Sequence, residues 1–524
     1  MILRYAEITY YAGLFFLLSL TTALSGNRFG VPMAIVIQMI LSIRLIRDLK
    51  PSIGFPVLFV LESIIFTLAN FGVVPGHNLL LPFAVFSAYV FLRLLLMLLD
   101  RYFSKRIPDG LKPLMFPALY TATMFIFMFI NPYGTWDVSA YGLNLELSPI
   151  MAQSASLGGL WIIHFLLAWT ASVINSLWEF LRIVKSKEQG NTIKNLKVPA
   201  YIIFWGGCIL ILTLFGSIWF ISGSQNDDTS NTVLVAGITP EVTYHGTYEG
   251  YYSEGHDFYR AIRNNDVDPH ISNERISDNI DQLFTDSEQA AKAGAKIIVW
   301  AEVAASLPYS EELSVIRRGA ELCQKYNVYL GLSFNTWLLE PEMRRNSKIL
   351  HNHLVILGPD GSILADYDKQ KPVPGGESEN AIKGTETIPK IETPWGDIAF
   401  AICFDADFPG IIRQGYGAGL IIITGADWPE ISPTHSIMSA WRGIENGSAL
   451  FRIAQGGQST AFDKCGSTIA ELPLQEGASV FYAHMPINHR PTLYGIAKNW
   501  FPWLMIFLTV ALIAMGLIRK NQYQ

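Results

Sequence analysis

Asp397-Ile-Ala-Phe-Ala-Ile-Cys403-Phe-Asp405-Ala-Asp407-Phe408-Pro409 is an apolar run that ends on a cysteine and passes into acidic, proline-containing sequence. A short uninterrupted apolar run reads as a buried strand, and the proline marks the turn after it. A thiol at such a place acts as a nucleophile if a proton acceptor and an electropositive group stand nearby. Earlier stretches supply both. Val299-Trp-Ala-Glu302 closes an apolar run on a carboxylate, and Tyr367-Asp-Lys369 closes another on an ammonium. Pro374-Gly-Gly-Glu377 adds a second carboxylate. In that pattern Glu302 takes the thiol proton. Lys369 stabilises the thiolate and then an oxyanion, helped by a backbone N–H just after Cys403. Glu377 holds Lys369 or Glu302 in place. Singly, each residue has a plainer explanation: a strand cysteine is a small core residue, and Glu302 and Lys369 are ordinary surface charges. Glu377 simply caps the polar loop 375–380. Their joint placement at the ends of three apolar runs favours chemistry.

Around these stretches, residues 232–490 alternate strand and helix signals. Strands are expected at 232–238, 296–301, 328–333 and 420–424, and helices at 277–293, 311–326, near Ile411 and at 434–445. Runs 350–357 and 362–367 form a hairpin about Gly358-Pro-Asp-Gly361. More strands follow through Phe481. The pattern is that of an α/β domain with layered helices and sheets of mixed strand direction. A polar linker, 223–231, precedes it.

The rest of the chain is of another kind. Half of the 524 residues are hydrophobic and only 16% are charged, with a mean hydropathy of +0.29, a balance that implies several membrane spans. Seven apolar runs fill residues 1–222, at 8–24, 31–46, 55–74, 79–99, 114–130, 157–183 and 201–221, and an eighth lies at 500–518. The second is the shortest and carries Arg44. The first has no small-residue cleavage site and is read as a retained span. Lysine and arginine gather in alternate loops: Arg44, Arg47 and Lys50; Arg101, Lys105, Arg106 and Lys112; Arg182, Lys185, Lys187, Lys194 and Lys197. The loops between are nearly empty of them. Positive charge stays on the cytoplasmic side, so both termini are expected inside and the α/β domain outside. A net charge of −6 argues against a nucleic-acid partner.

Taken together, Val-Trp-Ala-Glu302, Tyr-Asp-Lys369-Gln-Lys-Pro-Val-Pro-Gly-Gly-Glu377 and Ile-Cys403-Phe-Asp-Ala-Asp-Phe-Pro resemble the Glu-Lys-Cys triad and additional glutamate of the nitrilase, or carbon-nitrogen hydrolase, superfamily. Seven spans, an extracytoplasmic catalytic domain and one closing span resemble its apolipoprotein N-acyltransferase branch. His435 with Arg442-Gly-Ile-Glu445, Arg452-Ile-Ala-Gln455-Gly-Gly-Gln-Ser459, and Pro491-Thr-Leu-Tyr494 leading to Asn499-Trp-Phe-Pro-Trp503 add to the likeness. It implies a multi-span α-helical membrane domain (1–222) and an inserted nitrilase-like αββα sandwich (232–490). An interfacial segment and closing helix (491–524) complete the chain. It also implies a phospholipid acyl donor, a thioester on Cys403, and a lipoprotein's amino-terminal diacylglyceryl-cysteine as acceptor, in the plasma membrane. Where that branch has Trp-Pro-Glu and Cys-Tyr-Glu, this chain has Trp300-Ala301-Glu302 and Cys403-Phe404-Asp405. The acceptor therefore stays open, with a membrane-bound amidase and a non-catalytic scaffold as alternatives.

No metal-ligand spacing or phosphate-binding glycine loop stands out, and no cofactor is implied. Glu62, Arg93, His164 and Glu179 lie within apolar runs, where ionisable groups are functional candidates or pair between helices. A bridge between Cys323 and Cys465 is conceivable in an oxidising compartment.

Overall fold

The computed structural model describes residues 2–26, 28–31, 33–74, 79–135, 148–188, 198–225, 232–241, 255–267, 274–432, 434–474 and 477–522. Internal packing divides the chain into two compact units. One comprises Met1–Asn131, Trp136–Ile221 and Ile496–Gln524, and the other Pro132–Thr135 with Ser222–Gly495.

In the first unit the eight apolar runs fold as helices: Ile2–Leu24, Ala34–Asp48, Pro51–Ala69, Leu80–Phe103, Lys112–Phe127, Leu160–Glu188, Ala200–Gln225 and Trp500–Gln522. Six of them are long and apolar enough to cross a membrane. The helices Ala34–Asp48 and Lys112–Phe127 have only 15 and 16 residues. At about 1.5 Å per residue they fall short of a hydrocarbon core roughly 30 Å thick. The helix Ala200–Gln225 continues past Gly223 into the stretch expected to be linker; residues 226–231 lie outside the described residues. Its Leu210, Ile211, Leu214 and Ile218 are exposed, as lipid-facing side chains would be. Glu62 and Arg93 are fully buried and paired to each other. Ser42 donates to Glu62 at 2.8 Å and Arg93 to Gln38 at 3.0 Å. Glu179 meets Arg47 at 3.3 Å and Arg44 at 3.7 Å, and His164 lies against the rings of Trp161 and Tyr120. All four ionisable groups thus tie helices of this unit together.

The second unit contains strands β1 (Thr232–Thr239), β2 (Ile297–Trp300), β3 (Ala305–Pro308), β4 (Tyr329–Trp337), β5 (Leu350–Leu357), β6 (Ile363–Asp368), β7 (Lys390–Thr393), β8 (Gly396–Ile402), β9 (Leu420–Ala426), β10 (Ala449–Gln455), β11 (Ser459–Phe462), β12 (Thr468–Leu472) and β13 (Ser479–Pro486). One sheet has the order β13-β1-β2-β4-β5-β6, with β3 also paired to β4, and the other runs β12-β11-β10-β9-β8-β7. The central strands β1, β2 and β4, and likewise β8, β9 and β10, pair in parallel, with antiparallel strands outside. The sheets pack face to face. Phe451 stacks on Phe481 with ring centres 5.1 Å apart, and Gly237 of β1 lies so close to Ile453 that a Cβ would sit 2.7 Å from it.

Helices cover the outer faces. Glu274–Lys292 and Tyr309–Tyr326 bury Ile280, Leu283, Phe284, Val315 and Leu322 against Ile298, Trp300, Leu330 and Leu332, while Thr434–Asn446 packs on β10 and β11. The result is helix, sheet, sheet, helix. Each buried apolar side chain contributes about 1.5–3 kcal/mol relative to exposure, so the strand ends that carry the site rest on a rigid base. β3, the extension of β4 to Trp337 and the helix Gly255–Asn264 go beyond the sequence expectation. All four cysteines are free, Cys323 and Cys465 included.

Candidate active site

β8 buries Ile398 to Ile402 and passes into a single 3-10 turn, Cys403–Asp407. Cys403 has φ 41°, a left-handed conformation that a side chain adopts only when its surroundings enforce it. The enforcing contacts are on both sides. The Asp405 carboxylate accepts from Lys371 N–H and Tyr367 Oη, each at 2.8 Å, and from Ile402 N–H at 3.4 Å. Thr135 donates its N–H at 2.9 Å and its hydroxyl at 2.8 Å to the Asp407 carbonyl. Gly134, at φ 64°, approaches that carbonyl so closely that a Cβ would lie 2.7 Å from its oxygen. Burial pushes the Asp405 carboxyl up to about 7, against the lowering effect of Tyr367 and Lys369.

Glu302 follows β2 and Lys369 follows β6, and both are buried. Lys369 Nζ donates to Glu302 Oε1 at 2.7 Å and to Glu377 Oε1 and Oε2 at 3.0 and 2.9 Å. Asn352, in the middle of β5, donates its amide to Glu302 Oε1 at 2.9 Å and Glu377 Oε1 at 2.8 Å. The other oxygen of Glu302 accepts from Ala426 N–H at 2.8 Å, and Glu377 Oε2 accepts from Val373 N–H at 2.7 Å. The carboxylates are thus fixed by charge-assisted hydrogen bonds. Gln455 also donates to the Glu302 carbonyl. Burial pulls the Lys369 ammonium down, but Glu302 and Glu377 outweigh it and hold its pKa well above the usual lysine value.

Cys403 is electrostatically coupled to this group. Burial first, then Glu302, pushes its thiol well above the ordinary value, with Lys369 and Arg452 opposing. At neutral pH the nucleophile candidate is a thiol, so its proton has to leave as the sulfur attacks. The residues singled out in the sequence therefore converge: Glu302, Lys369 and Glu377 form one hydrogen-bonded trio, and Cys403 lies within its field. Asn352 escaped notice because nothing in its own strand distinguishes it. Strand alternation sets it on the face opposite His351 and His353, and only the fold reveals its two carboxylate partners.

A second charged group lies beside the thiol. Arg452 of β10 holds Asp427 through two hydrogen bonds of 2.8 Å, and His435 Nδ1 is 2.9 Å from Asp427 Oδ1. Donor atoms of Cys403, Asp427 and His435 all lie within 4.8 Å of one another. Asp427 is already occupied by the guanidinium, which does not suit a bound cation. On the opposite face of β5, Glu312, His351 and His353 also cluster. The two imidazoles are stacked 3.9 Å apart with planes 6° from parallel, so one ion cannot lie in the plane of both. His353 instead meets Asp366 at 2.7 Å and Glu312 at 3.2 Å.

Residues 267–489 match the family described as carbon-nitrogen hydrolase. Apolipoprotein N-acyltransferase 2 of Treponema denticola is 24% identical over 447 residues, which cover 78% of each chain. An apolipoprotein N-acyltransferase of Rhodopseudomonas palustris is 25% identical over 440 residues, covering 79% of this chain and 75% of that one. The probable hydrolase nit2 of Schizosaccharomyces pombe is 26% identical over 233 residues, 38% of this chain and 83% of its own.

Proposed function

We propose that this chain is a member of the apolipoprotein N-acyltransferase branch of the carbon-nitrogen hydrolase superfamily and N-acylates lipoproteins by way of a thioester on Cys403. One observation carries the assignment to acyl transfer. The likeness to two acyltransferases covers 78% and 79% of this chain, well beyond the hydrolase domain, whereas the hydrolase relative matches little more than a third of it.

In the first half-reaction, Cys403 Sγ attacks an acyl ester carbonyl of a membrane phospholipid as Glu302 takes the thiol proton. Lys369 and the backbone N–H after Cys403 face the oxyanion. Collapse breaks the ester C–O bond; the lysophospholipid oxygen recovers the proton from Glu302, and the acyl group remains as a thioester. In the second half, the free α-amino group of a diacylglyceryl-cysteine attacks that thioester. Glu302 accepts the amine proton, the C–S bond breaks, and the proton passes to the departing sulfur. Glu377 and Asn352 anchor Lys369 and Glu302 throughout, so that little reorganisation accompanies the charge movement.

Both substrates are lipids, which accounts for a catalytic domain built into a membrane protein. The alternation of loop charges supports cytoplasmic termini and an extracytoplasmic catalytic unit. The test is Cys403→Ala: a strain relying on it should accumulate diacylated lipoprotein, and triacylated lipoprotein in its mass spectrum would refute the proposal. Phe404-Asp405 after the nucleophile favours one second function, a membrane amidase in which water resolves the thioester. Purified enzyme that releases small amide products, without a phospholipid-derived acyl-enzyme, would establish that function instead.

A further inference from the structure

Loop 369–384 leaves the end of β6 at Lys369 and returns beside it. Gly384 N–H donates to the Lys369 carbonyl at 2.9 Å, and Ile382 N–H donates to the Leu350 carbonyl at 2.9 Å. The approach is close, since a Cβ on Gly384 would lie 2.1 Å from the Asp368 carbonyl oxygen. Glu377, held by Lys369, pins the middle of the loop. The closure sets Lys371, near the start of the loop, in the field of Lys383, near its end. Lys371 is half-buried and Lys383 exposed. The Lys371 N–H donates to Asp405 Oδ1 at 2.8 Å, and its ammonium stands over the Phe408 ring, 4.4 Å from the centre. Phe408 in turn meets Phe404, the residue after Cys403, edge to face with ring centres 5.4 Å apart. The Lys371 side chain therefore lies against the nucleophile turn.

These two ammoniums lack a counter-ion. Among the described residues neither forms an ion pair, and neither donates a side-chain hydrogen bond. Burial first, then the Lys383 ammonium, lowers the Lys371 pKa, with Asp405 opposing. The oxygens of that carboxylate are taken by Tyr367 Oη and by the N–H groups of Lys371 and Ile402. In a chain of net charge −6, two like charges held in each other's field beside the nucleophile repel unless an anion joins them. A lysine ammonium suits a phosphate, which it meets as a point charge with several donors.

We propose that Lys371 and Lys383 form the subsite for the phosphate of the phospholipid acyl donor, and that this subsite favours donors with an anionic head group over zwitterionic ones. In a glycerophospholipid the phosphate is only a few bonds from the acyl esters, so a carbonyl placed at Cys403 Sγ brings the phosphate to groups beside the nucleophile turn. A head group that carries its own ammonium neutralises its phosphate internally and gains less from the pair. The inference rests on the proposed acyl transfer from phospholipid and specifies which part of the donor is recognised.

The test is the initial rate of Cys403 acylation in the detergent-solubilised full chain, read by mass spectrometry of the Cys403 peptide. The donors are short-chain phosphatidylglycerol, short-chain phosphatidylethanolamine and p-nitrophenyl butyrate, an ester without phosphate. The parent should prefer phosphatidylglycerol to phosphatidylethanolamine. Lys371→Gln combined with Lys383→Gln, which retains the backbone bond to Asp405, should remove that preference and raise the phosphatidylglycerol concentration for half-maximal rate about tenfold. A concentration within twofold of the parent's would overturn the inference. So would a loss as large with the nitrophenyl ester as with phosphatidylglycerol, because the pair would then act on the thiol or its base. Inorganic phosphate that slows the nitrophenyl reaction of the parent, while the substitutions leave the phosphatidylglycerol reaction alone, would make the ligand a free phosphate instead. Lys371→Gln by itself should give about a threefold shift and decides if the double variant melts lower than the parent. A parent that no phospholipid acylates contradicts the proposed function and this inference together, while a parent acylated equally well with and without the two ammoniums contradicts this inference alone.

Discussion

Replacing Lys369 with methionine should disable the site by leaving its carboxylates without a cation. Methionine nearly preserves the side chain's length but removes an ammonium that makes three hydrogen bonds, of 2.7, 3.0 and 2.9 Å, to Glu302 and Glu377. Other donors remain: Asn352 to both residues, Ala426 N–H to Glu302 and Val373 N–H to Glu377. Hydrogen bonding is therefore largely kept and charge compensation is lost. Removing one partner of a buried ion pair costs about 3–5 kcal/mol. The remaining carboxylates relieve that cost when one takes up a proton, and a protonated Glu302 no longer accepts the thiol proton. A barrier raised by about 4 kcal/mol corresponds to roughly a 10³-fold loss of acyl-enzyme formation. The sign of the pH effect follows. A carboxylate that binds its proton more tightly in the folded variant favours folding at low pH, and that stability is lost as pH rises, so the melting deficit should be small at pH 5 and large at pH 8. Mass analysis of the Cys403 peptide after incubation with phospholipid vesicles, paired with melting in detergent at both pH values, reads both effects. Equal melting deficits at pH 5 and 8, with acylation within tenfold of the parent, would refute the reasoning.

Other substitutions probe separate contacts. Asn352→Ala removes two hydrogen bonds to carboxylates, each contributing about 1.5–3 kcal/mol; with the ammonium still in place, acyl-enzyme formation should fall roughly 10- to 100-fold in single-turnover measurements. The Asp405 carboxyl is raised to about 7 in the folded chain, so its contribution to stability is present at pH 4 and lost as pH rises through 7. Asp405→Asn should therefore flatten the decline in melting temperature between pH 4.5 and 7.5, and an unchanged slope would count against it. Gly237→Ala places a methyl 2.7 Å from Ile453 between the two sheets, a clash costing about 1–3 kcal/mol that calorimetry of the solubilised chain should register.

Much of this was legible in the sequence, for physical reasons. Apolar runs of the right length specify helices whether or not a partner is known, and all eight were found. Short apolar runs ending on a charge or on a cysteine marked β2, β6 and β8, so Glu302, Lys369 and Cys403 could be named before their convergence was visible. What stayed hidden depends on contacts between distant segments. Asn352 is an ordinary polar residue until two carboxylates meet it, and Asp427 lies in a loop whose sequence does not announce Arg452. The value of a buried polar network is set by the completeness of its partners, which no local window contains. The linker expected from Gly223 was displaced for the opposite reason: helical hydrogen bonding carries past a small polar residue when the preceding apolar turns are already formed.

Thr135 has a consequence for how the protein can be made and dissected. Its two bonds to Asp407 join residues 272 positions apart in the chain, so the nucleophile turn is completed by a segment synthesised long before the turn itself. The early segment must wait, its donors satisfied by water or by other chain, until the last third of the protein emerges. A fragment beginning at Ser222 would contain every residue of the Glu302, Lys369 and Cys403 group and still lack one clasp on the strained turn. The second unit is therefore not a portable module bounded by two cuts in the sequence, and producing it by itself would need residues 132–135 supplied from outside.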